Sequence, residues 1–383
     1  MYRDRILRGP DHYSGTRLGA FGADLGAVAA FFEEPWRRLA PNLSAPAQAW
    51  LLSVAAFRLR ALGRLTEAVE PMRVAVKMVE DAEDWEAAAI TASNLSELEV
   101  TLGRLGEAVA DGRRAIDFAD RSGDAFQEMA CRTTIADALH QAGERAEAGA
   151  LFAEAEQMQA QRQPQCPQLD SAGGFRYADW LLVHAERVAW GGVLARSGGA
   201  GCSPLSAPPE ARTPHASALD ACTEAEKRAL YAWEIVLDGS WNLLDIAFVH
   251  LTLARAALYR ALVGPPADPA PAATPPGPRV ATALARLRQA NSLDHLPKAL
   301  LTAALYHGTL GVDPEEAHRL LAEAQQIAER GPMPLHLADV HLHRARLFRD
   351  RPALAEARAL IDRHGYGRRR DELADAEAAA AHW

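Results

Sequence analysis

The sequence predicts an all-α protein built as a superhelical solenoid of αα-hairpins that is interrupted by two proline-rich loops. Three observations support this fold class. The chain of 383 residues is 49% hydrophobic and 24% charged. Its apolar side chains recur at the spacing of amphipathic helices, and no window alternates apolar and polar residues as a strand would. Turn glycines recur at a constant interval, which is the signature of a repeat protein.

The repeat is defined by Gly63, Gly103 and Gly143, which lie 40 residues apart. Each follows one helical pattern and precedes another, so each is expected to form a turn with positive φ between two packed helices. Asp84 and Asp124 precede the next first helices and are expected to cap them. The helical patterns run through 46–62, 65–80, 86–102, 105–120, 126–142 and 145–160.

The unit at 93–109 resembles the tetratricopeptide repeat (TPR) family. It has Asn94 before the turn, Gly103 in the turn and Glu107-Ala108 after it. The interval of 40 residues exceeds the usual period of about 34. This long period is similar to that of the sensor arrays in bacterial signalling NTPases of the STAND class. The resemblance implies a binding protein, with Asn94 at the position that holds a peptide.

The repeats divide the chain into six segments. A partial repeat or cap (1–45) comes first, unless the chain is a piece of a larger or shortened protein. The others are TPR-like repeats (46–196), a disordered loop (197–216), a helical hairpin (217–263), a proline-rich loop (264–279), and closing repeats with a capping helix (280–383). The two loops are either insertions in one continuing solenoid or domain boundaries. Helical patterning resumes after each, and Ala254-Arg255 and Ala345-Arg346 occupy corresponding repeat positions.

The residues that usually carry catalysis or cofactors are not arranged for either. No phosphate-binding loop is present, because none of the three lysines follows a glycine. His336, His341 and His343 share one helix, but their spacing does not suit a single metal ion. Cys222 lacks the context of a nucleophile. The sequence therefore predicts a protein that is not an enzyme and has neither cofactor nor metal.

Charge and hydropathy narrow the location and the partners. The net charge of −9 disfavours nucleic acid, and we expect the run Arg368–Arg370 to form ion pairs at the surface of the last repeat. No secretory signal or stretch of about 18 apolar residues is present, so we expect no membrane partner. The four cysteines lack paired spacing and favour the cytoplasm. The sequence gives no indication of oligomeric state.

A solenoid of this kind binds ligands on the inner face formed by its first helices. The distance from each turn glycine predicts the side chains that face this groove: Trp50, Ser53, Phe57, Arg60, Ile90, Ser93, Asn94, Glu97, Thr133, Asp137 and His140. Two functions fit. One is a scaffold or sensor for a protein or peptide partner, as in a STAND-type signalling or defence system. The other is a regulator that binds a small signal molecule or peptide and acts on an effector in trans.

Overall fold

The computed structural model describes residues 2–9, 12–197, 209–238, 242–264 and 275–383, and these residues are almost entirely helical, as predicted. A short π-helical turn (Tyr2–Ile6) comes first. The helices of the first part are α1 (Tyr13–Thr16), α2 (Phe21–Ala29), α3 (Ala45–Ala61), α4 (Leu65–Asp81), α5 (Trp85–Thr101), α6 (Leu105–Ser122), α7 (Ala125–Ala142) and α8 (Arg145–Arg162). Those of the second part are α9 (Ser171–Ser197), α10 (Pro209–Asp238), α11 (Leu243–Val263), α12 (Pro276–Ala290), α13 (Leu296–Thr309), α14 (Pro314–Arg330), α15 (Pro334–Phe348), α16 (Arg351–His364) and α17 (Arg370–Ala380).

The predicted hairpins are α3–α4, α5–α6 and α7–α8. The turn glycines Gly63, Gly103 and Gly143 have φ values of +72°, +68° and +92°, which a residue with a Cβ adopts only under strain. The carboxylates of Asp84 and Asp124 accept hydrogen bonds from the first turns of α5 and α7. The local features that predicted the repeat therefore form as expected. In the second part, α11–α12, α13–α14 and α15–α16 are antiparallel hairpins of the same kind.

The expectation of a disordered loop over 197–216 is wrong at its end, because α10 already begins at Pro209. Likewise α12 begins at Pro276, inside the predicted loop 264–279. Proline is compatible with the first helical turn, where a backbone N–H has no intrahelical partner. Residues 198–208 and 265–274, the central parts of both predicted loops, lie outside the described residues.

The N-terminal segment contains a small antiparallel ribbon that the sequence did not predict. Strand β1 (Phe32–Glu34) pairs with β2 (Arg38–Leu39). The connecting turn places Trp36 at a φ of +64°, with its ring edge-on to Phe32 at 5.3 Å. Trp36 is also buried with Leu25 in the hydrophobic core that α3, α4 and α5 share. The segment therefore completes the core of the first repeat.

Turns of the first three hairpins contact turns of the C-terminal half, so the two halves of the array face each other. The Leu293 N–H donates to the carbonyl of Ala61 (2.8 Å), and the His364 ring contacts the carbonyl of Gly103 (3.1 Å). A Cβ on Gly143 would lie 2.9 Å from the backbone of Gly367. Turns of the N-terminal hairpins thus meet turns of the C-terminal half, and the inner helices of both halves face a shared, partly open space.

One helix among the described residues, α11, is long and apolar enough to cross a membrane. About 72% of its most apolar window is buried inside the protein. The helix packs against α9, α10 and α12, and Leu251 and Leu258 are fully buried. Its apolar composition is accounted for by this position in the core.

Candidate binding cavity

The array surrounds a cavity of about 320 Å³ that is partly open to solvent. Its walls come from α3, α5, α7, α9, α11, α13 and α15, the first helices of successive hairpins and the helix α9 between them. The charged residues in its lining are Arg60, Glu97, Asp137, Arg176, Asp179, Glu186, Asp245, Arg255, Asp294, Lys298, Asp339, Arg368 and Arg369. Acidic and basic groups are nearly balanced, so the cavity carries charges of both signs beside apolar surface.

The structure divides the predicted groove residues into two groups. Those that line the cavity are Phe57, Arg60, Asn94, Glu97 and Asp137. Those that are not part of its lining are Trp50, Ser53, Ile90, Ser93, Thr133 and His140. Ile90 is 38% exposed, whereas His140 is only 2% exposed and is buried between helices. Trp50 packs partly buried against the core of the first repeat. Each of the three first helices thus contributes at least one predicted residue to the lining, and the ligand groove itself stays a prediction.

The carboxylate of Glu97 joins three inner helices. It forms ion pairs with Arg60 of α3 and with Arg176 of α9. Arg60 also donates from Nε to Asp294 (3.0 Å), and Arg176 donates to the hydroxyl of Thr134 on α7 (3.1 Å). Burial alone would raise the pKa of Glu97, but the guanidinium groups of Arg176 and Arg60 lower it to about 2. The cluster therefore ties the first repeats to α9 and to the segment before α13.

Replacing Glu97 by glutamine is expected to reduce stability in a pH-dependent way. The folded pKa of about 2 lies below the ordinary value of 4.5, so the stabilisation is complete above pH 4.5 and is lost toward pH 2. We expect a loss of about 2–3 kcal/mol near neutral pH, typical of hydrogen bonds to charged groups. Urea unfolding at several pH values would measure it.

The control for this experiment is Glu147→Gln. Glu147 pairs with Arg113 at 2.7 Å, but both side chains are about half exposed, at 45% and 57%. An exposed pair of this kind contributes at most about 1 kcal/mol. A difference between wild type and Glu97→Gln that stays constant from neutral to acidic pH would contradict the assigned role of the Glu97 charge.

A second cluster lies deeper, around Asp179 and Glu186 of α9. Arg368 contacts Asp179 at 2.6 Å and Glu186 at 3.2 Å, and Arg255 of α11 pairs with both carboxylates. Arg369 reaches Glu186 at 3.1 Å. Burial would raise the pKa of Asp179, yet Arg368 and Arg255 hold it well below its ordinary range. Both carboxylates are therefore ionised in the interior.

The expectation that Arg368–Arg370 form surface ion pairs is wrong for the first two residues. The side chains of Arg368 and Arg369 are only 4% and 5% exposed. Arg369 also contacts Asp339 at 2.7 Å, and Tyr366 donates to the same carboxylate at 3.2 Å. The turn after α16 thus inserts two cations into the interior, whereas Arg370 is exposed.

Three polar side chains of the lining are paired less closely with groups of opposite charge or with hydrogen-bond partners. The Lys298 ammonium lies 3.9 Å from Asp179, the longest ion pair in the cavity. Asp245 accepts a hydrogen bond from Ser171 (2.5 Å), and burial, with a contribution from Asp170, raises its pKa to about 6. The Nδ1 atom of His336 is shielded from solvent and has no hydrogen-bond partner. Burial lowers the pKa of His336 to about 4, so its ring is neutral at pH 7.

Sequence reasoning missed the half of the cavity contributed by α9 to α15. The proline-rich segments interrupt the repeat register, so positions could not be counted from a turn glycine. A usable signal was present, because Asp179 is followed by the apolar run Trp180–Val183 and Arg255 stands inside the mainly apolar run Leu251–Leu258. A charge at such a position is buried and therefore needs a partner.

The fold and the cavity define a class: an all-α array of helical hairpins around a partly open cavity with charged residues in its lining. No protein-family model matches the sequence, and no curated protein is significantly similar to it. Among the described residues, no group of three or more His, Cys, Asp or Glu side chains is arranged to hold a metal ion. TPR membership therefore stays a prediction, and functional inference has to come from the cavity itself.

Proposed function

We propose that this protein is a non-catalytic ligand sensor that binds a small polar molecule in its central cavity. The observation that supports the proposal is a partly open cavity of about 320 Å³ whose lining carries charges of both signs. This volume lies at the lower end of the range for small-molecule sites, about 300–1,000 Å³. A partner helix about 10 Å in diameter and several turns long occupies more than this volume.

A short peptide is the second candidate, and one observation favours it. Asn94, which the TPR resemblance predicts to hold a peptide, lines the cavity. Its amide could donate to a backbone carbonyl and accept from a backbone N–H. A di- or tripeptide satisfies both the volume and this hydrogen bonding, whereas an extended segment of a protein partner does not. The broader scaffold hypothesis is thus narrowed to small or short ligands.

Binding would be transmitted through the ion clusters that join distant hairpins. Glu97 links α3, α5 and α9, and Asp179 links α9 to α11 and to the turn after α16. A ligand that contacts these groups can bind one arrangement of the hairpins more tightly than another. Its binding then shifts the equilibrium toward the arrangement that it binds better. In this proposal the sensor works in the cytoplasm and acts on an effector in trans, in keeping with the resemblance to STAND-class sensor arrays.

Filling the cavity is expected to abolish ligand binding. Asn94→Trp places a large ring in the cavity, whereas Ile90→Trp, one turn earlier on α5, adds the same ring at an exposed position. Ligand-observed NMR with a defined library of amino acids, dipeptides, nucleotides and organic acids would measure binding. We expect binders of wild type to be retained by Ile90→Trp and weakened at least about tenfold by Asn94→Trp, a change of about 1.4 kcal/mol.

Two results would contradict the proposal. Equal binding by Asn94→Trp and wild type would place the ligand outside the cavity. Conversion of a library compound, or hydrolysis of a nucleotide by the purified protein, would contradict the assignment of a non-catalytic protein.

A further inference from the structure

We propose that the cavity selects a dipolar ligand, whose carboxylate binds Lys298, whose amine binds Asp245, and whose flat or apolar body lies against Phe175 and Phe248. Small ω-amino acids and dipeptides carry these groups. The inference rests on the proposed function, because it names the ligand class of the same cavity.

Among the cavity residues that the structure describes, Lys298 is the cation that remains available to an anion. Each arginine of the lining has a carboxylate oxygen within 3.0 Å: Arg60, Arg176, Arg255, Arg368 and Arg369. The nearest carboxylate oxygen to the Lys298 ammonium is 3.9 Å away, and the side chain is 25% exposed. An incoming carboxylate can therefore approach Lys298 without displacing a short ion pair.

Two neutral histidines lie in the lining together with this cation. Burial lowers the pKa values of His295 and His336 to about 4, and Lys298 contributes to both shifts, which places the three groups in one neighbourhood. The Nδ1 atom of His336 has no partner, while its Nε2 lies 3.3 Å from the carbonyl of Asp294. Because the carbonyl of Asp294 can only accept, Nε2 of the neutral ring carries the proton and Nδ1 can only accept, so His336 can receive a hydrogen bond from a ligand but cannot donate one to the carboxylate at Lys298.

Asp245 is the complementary acidic group. In the described part of the chain its partner is the Ser171 hydroxyl at 2.5 Å, and no ion pair to a lysine or arginine side chain is formed. Asp170 adds a second negative charge nearby. A partly buried carboxylate without a cation is unfavourable, and an ammonium group of a ligand would compensate it.

The aromatic pair lies between the two charged groups. The rings of Phe175 and Phe248 stack with centroids 4.2 Å apart and an angle of 7°. The Lys298 ammonium is 5.2 Å from the centroid of Phe175. Ser171, which binds Asp245, is one helical turn before Phe175 on α9, a rise of about 6 Å. The apolar pair, whose side chains are only 5% and 3% exposed, therefore lies within reach of the cationic group and of the helical turn that carries Ser171.

Three probes test this arrangement directly. The dipolar probe is 4-(aminomethyl)benzoate, and the single-ended probes are 4-methylbenzoate and benzylamine. Titrations of the full chain by ligand-observed NMR would give the three dissociation constants. Because a hydrogen bond to a charged group contributes about 1.5–3 kcal/mol, we expect the dipolar probe to bind at least about tenfold more tightly than either single-ended probe.

Charge-removing variants assign each end of the ligand. We expect Asp245→Asn, which keeps the shape of the side chain, to weaken the dipolar probe and benzylamine at least about tenfold while 4-methylbenzoate binds as before. Lys298→Gln should do the reverse, and Lys298→Arg should restore carboxylate binding. Circular dichroism melting of each variant separates loss of binding from loss of folding.

Several outcomes would overturn the inference. They are equal affinities for the three probes, no binding of the dipolar probe at millimolar concentration, or an equal weakening of all probes by both variants. In each of these cases the cavity-binding proposal is judged separately, because it depends on the library compounds and on Asn94→Trp. If Asn94→Trp binds every library compound as tightly as wild type does, the proposed function itself fails.

Discussion

Arg368→Ala is expected to lower the free energy of unfolding by about 3–5 kcal/mol. The guanidinium of Arg368 contacts Asp179 and Glu186, whose side chains are only 2% and 3% exposed. Its removal would leave Asp179 with Arg255 and with Lys298 at 3.9 Å. Removing one partner of a buried ion pair is costly, because the remaining charge stays in a medium that solvates it poorly. Guanidinium chloride unfolding of the full chain would measure the change.

Arg113→Ala is the matched control for this prediction. It also removes an arginine from an ion pair of 2.7 Å, but the Arg113 and Glu147 side chains are 57% and 45% exposed. Such pairs contribute at most about 1 kcal/mol. If Arg368→Ala cost no more than Arg113→Ala, the buried cluster would not hold the last turn against α9.

The elements that the sequence predicted correctly are those with local causes. The hairpin from 86 to 120 was predicted from its apolar spacing, its cap at Asp84 and its turn at Gly103, and all three lie within one repeat. The observed α5 and α6 match the predicted ranges to within two residues at each end. The ribbon around Trp36 was missed because each strand is too short to show alternation.

Closure of the array was not predicted because it depends on contacts between residues far apart in the sequence. The hydrogen bond from Leu293 to Ala61 joins two turns that have no sequence feature in common. The same cause explains the error at Arg368. A run of arginines beside a glycine is typical of a surface segment, and only the folded chain shows that Arg368 contacts Asp179, 189 residues earlier. Arg60 and Glu97 were placed correctly, because both positions follow from the turn glycines.

The closing contacts themselves can be tested at Gly143, where we expect the second large effect. Gly143 has a φ of +92°, and an added Cβ would lie 2.9 Å from the Cα and carbonyl carbon of Gly367. Gly143→Ala therefore combines backbone strain of about 1–2 kcal/mol with overpacking of about 1–3 kcal/mol. The neighbour is backbone, which cannot rotate away, so the last turn must move.

Gly123→Ala separates strain from closure. Gly123 also has a positive φ, of +67°, but an added Cβ would meet nothing within 4 Å. We expect this variant to lose about 1–2 kcal/mol from strain and to keep the array closed. Hydrogen exchange should rise in the Gly367–Arg369 turn and in α17 for Gly143→Ala and stay at the wild-type rate for Gly123→Ala. Equal stability and equal exchange in the two variants would mean that the contact between Gly143 and Gly367 does not hold the array closed, and that the cavity is open to larger partners.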